Sequence, residues 1–93
     1  MSGEAHTWLQ GLIGQLVVVD LDESYLVIGT LTGVDDHHLS FREADLHDHH
    51  ESNCTKDVYL LETRQLGVRF NRKQVAIPRT RVLAISRLED IAP

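Results

Sequence analysis

The chain reads as a mainly β domain. An N-terminal helix leads into a strongly bent five-stranded antiparallel sheet or barrel, with an extra helix between the third and fourth strands. Three observations predict this. A short stripe of helical period at the N-terminus gives way to strict alternation at Leu16. The next apolar stretch, Tyr25 to Val34, is long and carries Gly29 and Gly33, where a glycine commonly marks a sharp bend or a bulge. Two short alternating runs then close the chain, separated only by Pro78-Arg79-Thr80. With 93 residues there is material for one small domain.

The elements follow in order. Ala5, Trp8, Leu9, Leu12 and Ile13 form the stripe of an amphipathic helix over residues 4–13, with Trp8 as its core anchor. Ser2 suits the N-cap, Glu4 the first turn, and Gly14 a left-handed end. Val17, Val19 and Leu21 alternate with Leu16, Val18 and Asp20 in the first strand. Asp22-Glu23-Ser24 turns into the second strand, and Asp35-Asp36-His37 into a third that runs from Leu39 to about Leu46. His47 to Asn53 is polar and aperiodic, which predicts a loop. From Thr55 a helix is expected, with Thr55 as cap, Gly67 as terminator, and Val58, Leu61, Gln65 and Leu66 on one face. Val58-Tyr59-Leu60-Leu61 also suits a buried strand. Lys73 to Ile77 and Arg81 to Leu88 are the last strands, and the tail from Glu89 is expected to fray.

The net charge of −5 conceals a division. Residues 1–55 hold ten acids and one base, Arg42, whereas residues 56–93 hold eight bases and four acids. Between Arg64 and Arg81 lie six bases and no acid, so an acidic protein retains the means for a positive face. Cys54 is the only cysteine, which excludes an internal disulfide and suits a reducing, cytoplasmic setting. The apolar run Leu16-Val17-Val18-Val19 is too short to cross a bilayer, and no stretch reads as a signal peptide.

Little in the chain supports catalysis. Cys54 has no positioned base in the sequence, the acids of Asp20-Leu21-Asp22-Glu23 and Asp35-Asp36 belong to turns, and Gly11-Leu12-Ile13-Gly14 lacks a phosphate-loop fingerprint. No enzyme activity and no cofactor are expected. His47-Asp48-His49-His50-Glu51 concentrates imidazoles and carboxylates, but consecutive loop residues seldom converge on one ion. A solvated loop without a metal is the expectation. Of the aromatic residues, Tyr25, Phe41 and Tyr59 are core candidates. Phe70, beside Arg69, is the one expected at the surface, either stacking a base or plugging a subunit contact.

Two stretches resemble the Sm-like (LSm) family. Within Leu16 to Asp45, Gly29-x-Leu31, Val34-Asp35, Leu39-x-Phe41 and Glu43-Ala44-Asp45 resemble the first Sm motif. Val75 to Ile85 resembles the second, with Ile77, Val82 and Ile85 at its apolar positions. The resemblance divides a single domain, 1–93, into a helix (4–13), a first motif (15–46), an enlarged variable insert (47–72) and a second motif (73–88). It implies a bent five-stranded barrel whose fourth and fifth strands pair with neighbouring subunits, giving a homo-oligomeric ring of five to eight copies. Most characterised members bind uridine- or adenine-rich RNA. Where the family usually has an Asn between strands two and three, this chain has Asp35-Asp36-His37-His38, one residue shorter, with His38 nearest that position. Where the family usually has Arg-Gly, it has Pro78-Arg79.

Two functions therefore stand side by side. The first is a ring that binds single-stranded RNA, with Arg79 and Arg81 engaging the strand, His37 and His38 stacking on or bonding bases, and Asp35 orienting the loop. The second is a structural or protein-interaction ring without RNA, whose 47–72 segment docks a protein partner. Neither involves a membrane.

Overall fold

The computed structural model describes residues 7–22, 25–48 and 55–92. Residues 7–10 are helical (α1), and turns carry the chain to Gly14 at φ 90°. Five strands follow: β1 (Leu16–Leu21), β2 (Tyr25–Val34), β3 (His38–Asp48), β4 (Arg72–Pro78) and β5 (Val82–Arg87). A helix, α2 (Lys56–Leu66), sits between β3 and β4. Short 3₁₀ turns occupy Arg79–Arg81 and Leu88–Asp90.

All pairings are antiparallel, in the order β4-β3-β2-β1-β5. That order demands curvature. In a flat sheet β4 and β5 would lie about 19 Å apart, four strand spacings. The three residues between them span at most about 14 Å even when extended, and less in a 3₁₀ turn. The sheet must curl until its edges approach at that end.

The bend is built at Gly29. A Cβ there would lie 2.8 Å from the Ala44 Cβ and 3.0 Å from the Ala44 Cα, so only glycine lets β2 and β3 cross this closely. Opposite it, the register jumps from Ile28↔Asp45 to Thr30↔Arg42, and Glu43 takes φ 48° to absorb the extra residue. A second shift falls between Leu31 and Gly33. Both glycines thus mark the irregularities predicted for them.

Alternation along the strands feeds two cores. Val17, Val19, Leu21, Val27, Leu31, Leu39, Phe41, Ala44 and Ile77 close on one side, capped by Leu12 with Leu9 against it. Val18, Leu26 and Ile28 point the other way and pack under Leu60 and Leu88, with Tyr59, Val68 and Ile91 around them. The insert helix is therefore part of the fold, roofing the second face of β1 and β2.

Four expectations are corrected. Trp8 is 55% exposed, because the turn after residue 10 directs Leu12 rather than Trp8 inward. The buried face of α2 is Leu60 and Thr63, not Val58, Leu61, Gln65 and Leu66. Lys56 holding Asp20 (2.8 Å) and Tyr59 stacking on His47 fix that rotation. His47 belongs to β3, since Leu26 and Tyr25 pair with His47 and Asp48. The tail is held through Ile91: Leu88 is buried, Ile91 packs beside it, and Arg87 bonds Asp90 at 2.8 Å. The caps of α2 are those predicted. Thr55 accepts from the Val58 amide, and Gly67 ends the helix at φ 93°.

Candidate nucleic-acid interface

The short β2–β3 turn is organised by one carboxylate. Asp35 Oδ1 accepts from the backbone N–H groups of His37 (2.7 Å) and His38 (2.6 Å), and the Asp35 N–H donates to the His38 carbonyl at 3.0 Å. An aspartate at this place in a turn offers the backbone an acceptor that the strands cannot supply. Those two amides hold the Asp35 carboxyl below its ordinary range; His37 and His38 lie within Coulombic reach and act the same way.

The β4–β5 turn docks onto this one. His38 pairs with Pro78, which brings Arg79 beside the turn. The Arg79 N–H donates to the His37 carbonyl (2.8 Å), and its Nη1 donates to the Asp35 carbonyl (2.8 Å). One guanidinium donor of five is used in this way, leaving a planar cation at the surface beside two exposed imidazoles. His38 Nδ1 lies 4.0 Å from Asp35 Oδ1.

Of the five residues singled out from the sequence, four converge: Asp35, His37, His38 and Arg79. Arg81 is drawn elsewhere. Its Nη1 bonds Asp22 Oδ2 at 2.8 Å, while the Asp22 N–H donates to the Arg81 carbonyl at 3.2 Å. It ties the β1–β2 turn to the β4–β5 turn. The structural role of Asn71 escaped the sequence reading. Its Oδ1 accepts from the Leu46 N–H (3.0 Å), and its Nδ2 donates to the Leu46 carbonyl (3.1 Å) and to Asp45 Oδ1 (3.3 Å). Asp45 is only 6% exposed, and this burial raises its carboxyl pKa against a smaller opposing pull from His47. No local pattern signals such a contact, because its partners lie a strand away.

Among the described residues no group of three His, Cys, Asp or Glu side chains is placed to hold a metal ion. His49, His50, Glu51 and Cys54 lie outside them. Among the described residues no helix is long and apolar enough to cross a membrane.

No protein-family model matches the chain, and no curated protein sequence does. Solved structures do. An Sm protein from Pyrococcus abyssii, determined in complex with a uridine heptamer, superposes with a TM-score of 0.63 at 20% identity, covering 88% of this chain and 94% of its own. An Sm-like protein from Archaeoglobus fulgidus gives 0.58 at 17% identity, covering 88% and 91%. A chain of the NatC complex bound to CoA gives 0.58 at 20%, covering 90% and 94%. With a bent five-stranded sheet in the order β4-β3-β2-β1-β5, an N-terminal helix and these superpositions, the chain has the Sm-like fold.

Proposed function

We propose that the chain is a non-enzymatic Sm-like protein that closes into a homo-oligomeric ring and binds single-stranded RNA at the turn cluster of Asp35, His37, His38 and Arg79. The observation that carries this reading is the bonding between the two turns. Asp35 fixes both histidine amides, and Arg79 is bonded to the same turn, so its planar cation stands preorganised beside two imidazoles. Rings and a guanidinium in one place suit unpaired bases and phosphate together. The similar Sm protein that holds a uridine heptamer supports the ligand class. Arg81, paired with Asp22, holds the β1–β2 turn.

The ring follows from the edges. β4 pairs only with β3, and β5 only with β1, among the described residues. Leu83 on β5 is 71% exposed. Pairing β4 of one copy with β5 of the next removes both edges, and head-to-tail contacts close when the rotation divides a full circle. Each turn cluster then recurs once per copy, which multiplies a weak contact by avidity.

Fluorescence anisotropy with short labelled oligo-U and oligo-A tests the site. The parent should bind, lose affinity as salt rises because neutralised phosphates release counterions, and lose at least about tenfold on Arg79→Ala. Equal binding by parent and variant removes the turn cluster as the site. A second reading, a ring that organises proteins, is favoured by the likeness to a chain of the NatC assembly. It takes over if neither protein binds RNA at low salt.

A further inference from the structure

We propose that the junction between α2 and β4, residues 67–73, is a second contact for single-stranded nucleic acid, built from Arg69, Phe70, Arg72 and Lys73. It rests on the RNA reading above for its class of ligand, and on different residues for its place.

Folding leaves the cations of this junction without counter-charge among the described residues. Among those residues Lys56 holds Asp20, Arg81 holds Asp22, and Arg87 holds Glu89 and Asp90. Arg42, Arg64 and Arg79 have no carboxylate partner there either, but only the junction gathers three such cations, Arg69, Arg72 and Lys73, within five residues. Arg72 donates to its neighbour's carbonyl, Asn71 O, at 3.0 Å, which spends a hydrogen bond and leaves the charge. Arg69 and Lys73 are exposed, with no carboxylate of the described residues within ion-pair distance. Arg64, one turn back on α2, bonds the Ile91 carbonyl at 2.6 Å. Glu62 shares a shallow groove with Arg69 but lies beyond pairing distance.

An aromatic ring stands among these cations. Phe70 is 51% exposed, so its ring is open to solvent. Its backbone is held in place by the next residue. The Asn71 N–H donates to the Ala44 carbonyl at 3.0 Å, and the Asn71 side chain bonds both polar groups of Leu46. The ring is therefore presented by an anchored chain. An exposed ring between un-neutralised cations is the combination that single-strand binders use, the ring for a base face and the cations for the backbone. An acidic polypeptide would use the charges but has no need of a stacking ring. The junction is also distinct from the turn cluster. The two lie at opposite ends of β4, seven residues or about 20 Å apart.

The test is anisotropy with labelled oligo-U and oligo-A on the parent, Phe70→Ala, Phe70→Tyr and Arg69→Gln/Lys73→Gln, each also in the Arg79→Ala background. These side chains are exposed, so melting temperatures should match the parent and any loss of binding belongs to the surface. Phe70→Ala should weaken binding about tenfold, and Phe70→Tyr, which keeps the ring, should retain it. Arg69→Gln/Lys73→Gln should flatten the slope of log K against log salt by about 1.4, roughly 0.7 per lost phosphate contact. Both effects should persist in the Arg79→Ala background. Parent affinity and slope in every junction variant would overturn the proposal, while a loss confined to Arg79→Ala would still uphold the turn cluster. Junction variants that lose RNA while Arg79→Ala keeps it would support this site and sink the other. Poly-glutamate that competes as well as unlabelled RNA at equal charge would make this an acidic-protein surface and overturn the assignment.

Discussion

Asp35 precedes β3 and Asp45 lies within it, and the fold treats them in opposite ways. Asp35 stands before β3 in an exposed turn, where two backbone amides favour its charge. Asp45 lies near the far end of β3, buried beside Asn71, where loss of solvent disfavours its charge. The ends of the β3–β4 pair differ in the same sense. At Pro78, Asp35 and Arg79 hold two turns together, beside two exposed imidazoles. At Arg72, the Asn71 amide and the buried Asp45 carboxylate anchor the chain, and the cations outside go uncompensated. One end is suited to fixed geometry, the other to charge. A small domain thus separates a bonded turn cluster from unpaired charge by the length of one strand.

The contrast depends on the bend between the ends, so the largest effect should come from removing it. Gly29→Ala places a methyl 2.8 Å from the Ala44 side chain and 3.0 Å from its backbone, where the backbone cannot give cheaply. We expect a loss of about 1–3 kcal/mol, measured by urea or thermal unfolding. Unchanged stability would mean that β2 and β3 do not cross as closely as described.

Asn71→Ala breaks the Arg72 end alone. It removes two bonds to Leu46 and one to Asp45, at roughly 0.5–1.5 kcal/mol for each bond to a backbone group. A domain of this size should lose about 4–8 °C of melting temperature per kcal/mol. The change should leave the turn cluster intact, so oligo-U binding that depends on Arg79 should survive. Equal loss at both ends would dissolve the distinction between them.

Acid sharpens the comparison, because the two carboxylates give opposite slopes. Asp35, with its folded pKa depressed, supports the fold fully above the ordinary aspartate value of 3.8, and that support is lost as pH falls through the depressed value. Asp45, with its folded pKa raised, weighs against the fold at neutral pH. Its protonation relieves that burden as pH falls through the raised value toward 3.8. Stability should therefore rise slightly on mild acidification and fall below that point. Asp45→Asn should abolish the rise, and Asp35→Asn should reduce the later fall. A rise that persists in Asp45→Asn would place its origin elsewhere.

The frame of the molecule was legible in the sequence because it rests on local chemistry. Thr55 and Gly67 cap α2, Gly14 closes the first turn, and Gly29 and Gly33 mark register shifts, each as its residue type dictates. The convergence of Asp35, His37, His38 and Arg79 was legible through a resemblance, since a hairpin-like turn and a short β4–β5 link meet only if the sheet curls. What escaped was set by distant partners. Val58, Leu61 and Leu66 have as good a helical period as Leu60 and Thr63, and only contacts with Asp20 and His47 choose between those faces. His47 reads as loop because it is polar, yet Leu26 opposite extends the ladder and Tyr59 covers the ring. Asn71 carries no signal at all, its bonds reaching back 25 and 26 residues.

A ring would pair the two sheet edges and repeat both ends of β4 in a circle. Light scattering coupled to size exclusion, on the full chain at micromolar concentration, measures this directly. A single species at a whole-number multiple of 10.5 kDa, with enough copies to close a ring, is the expected result. A monodisperse species at 10.5 kDa would contradict the ring and leave the turn cluster a single weak contact.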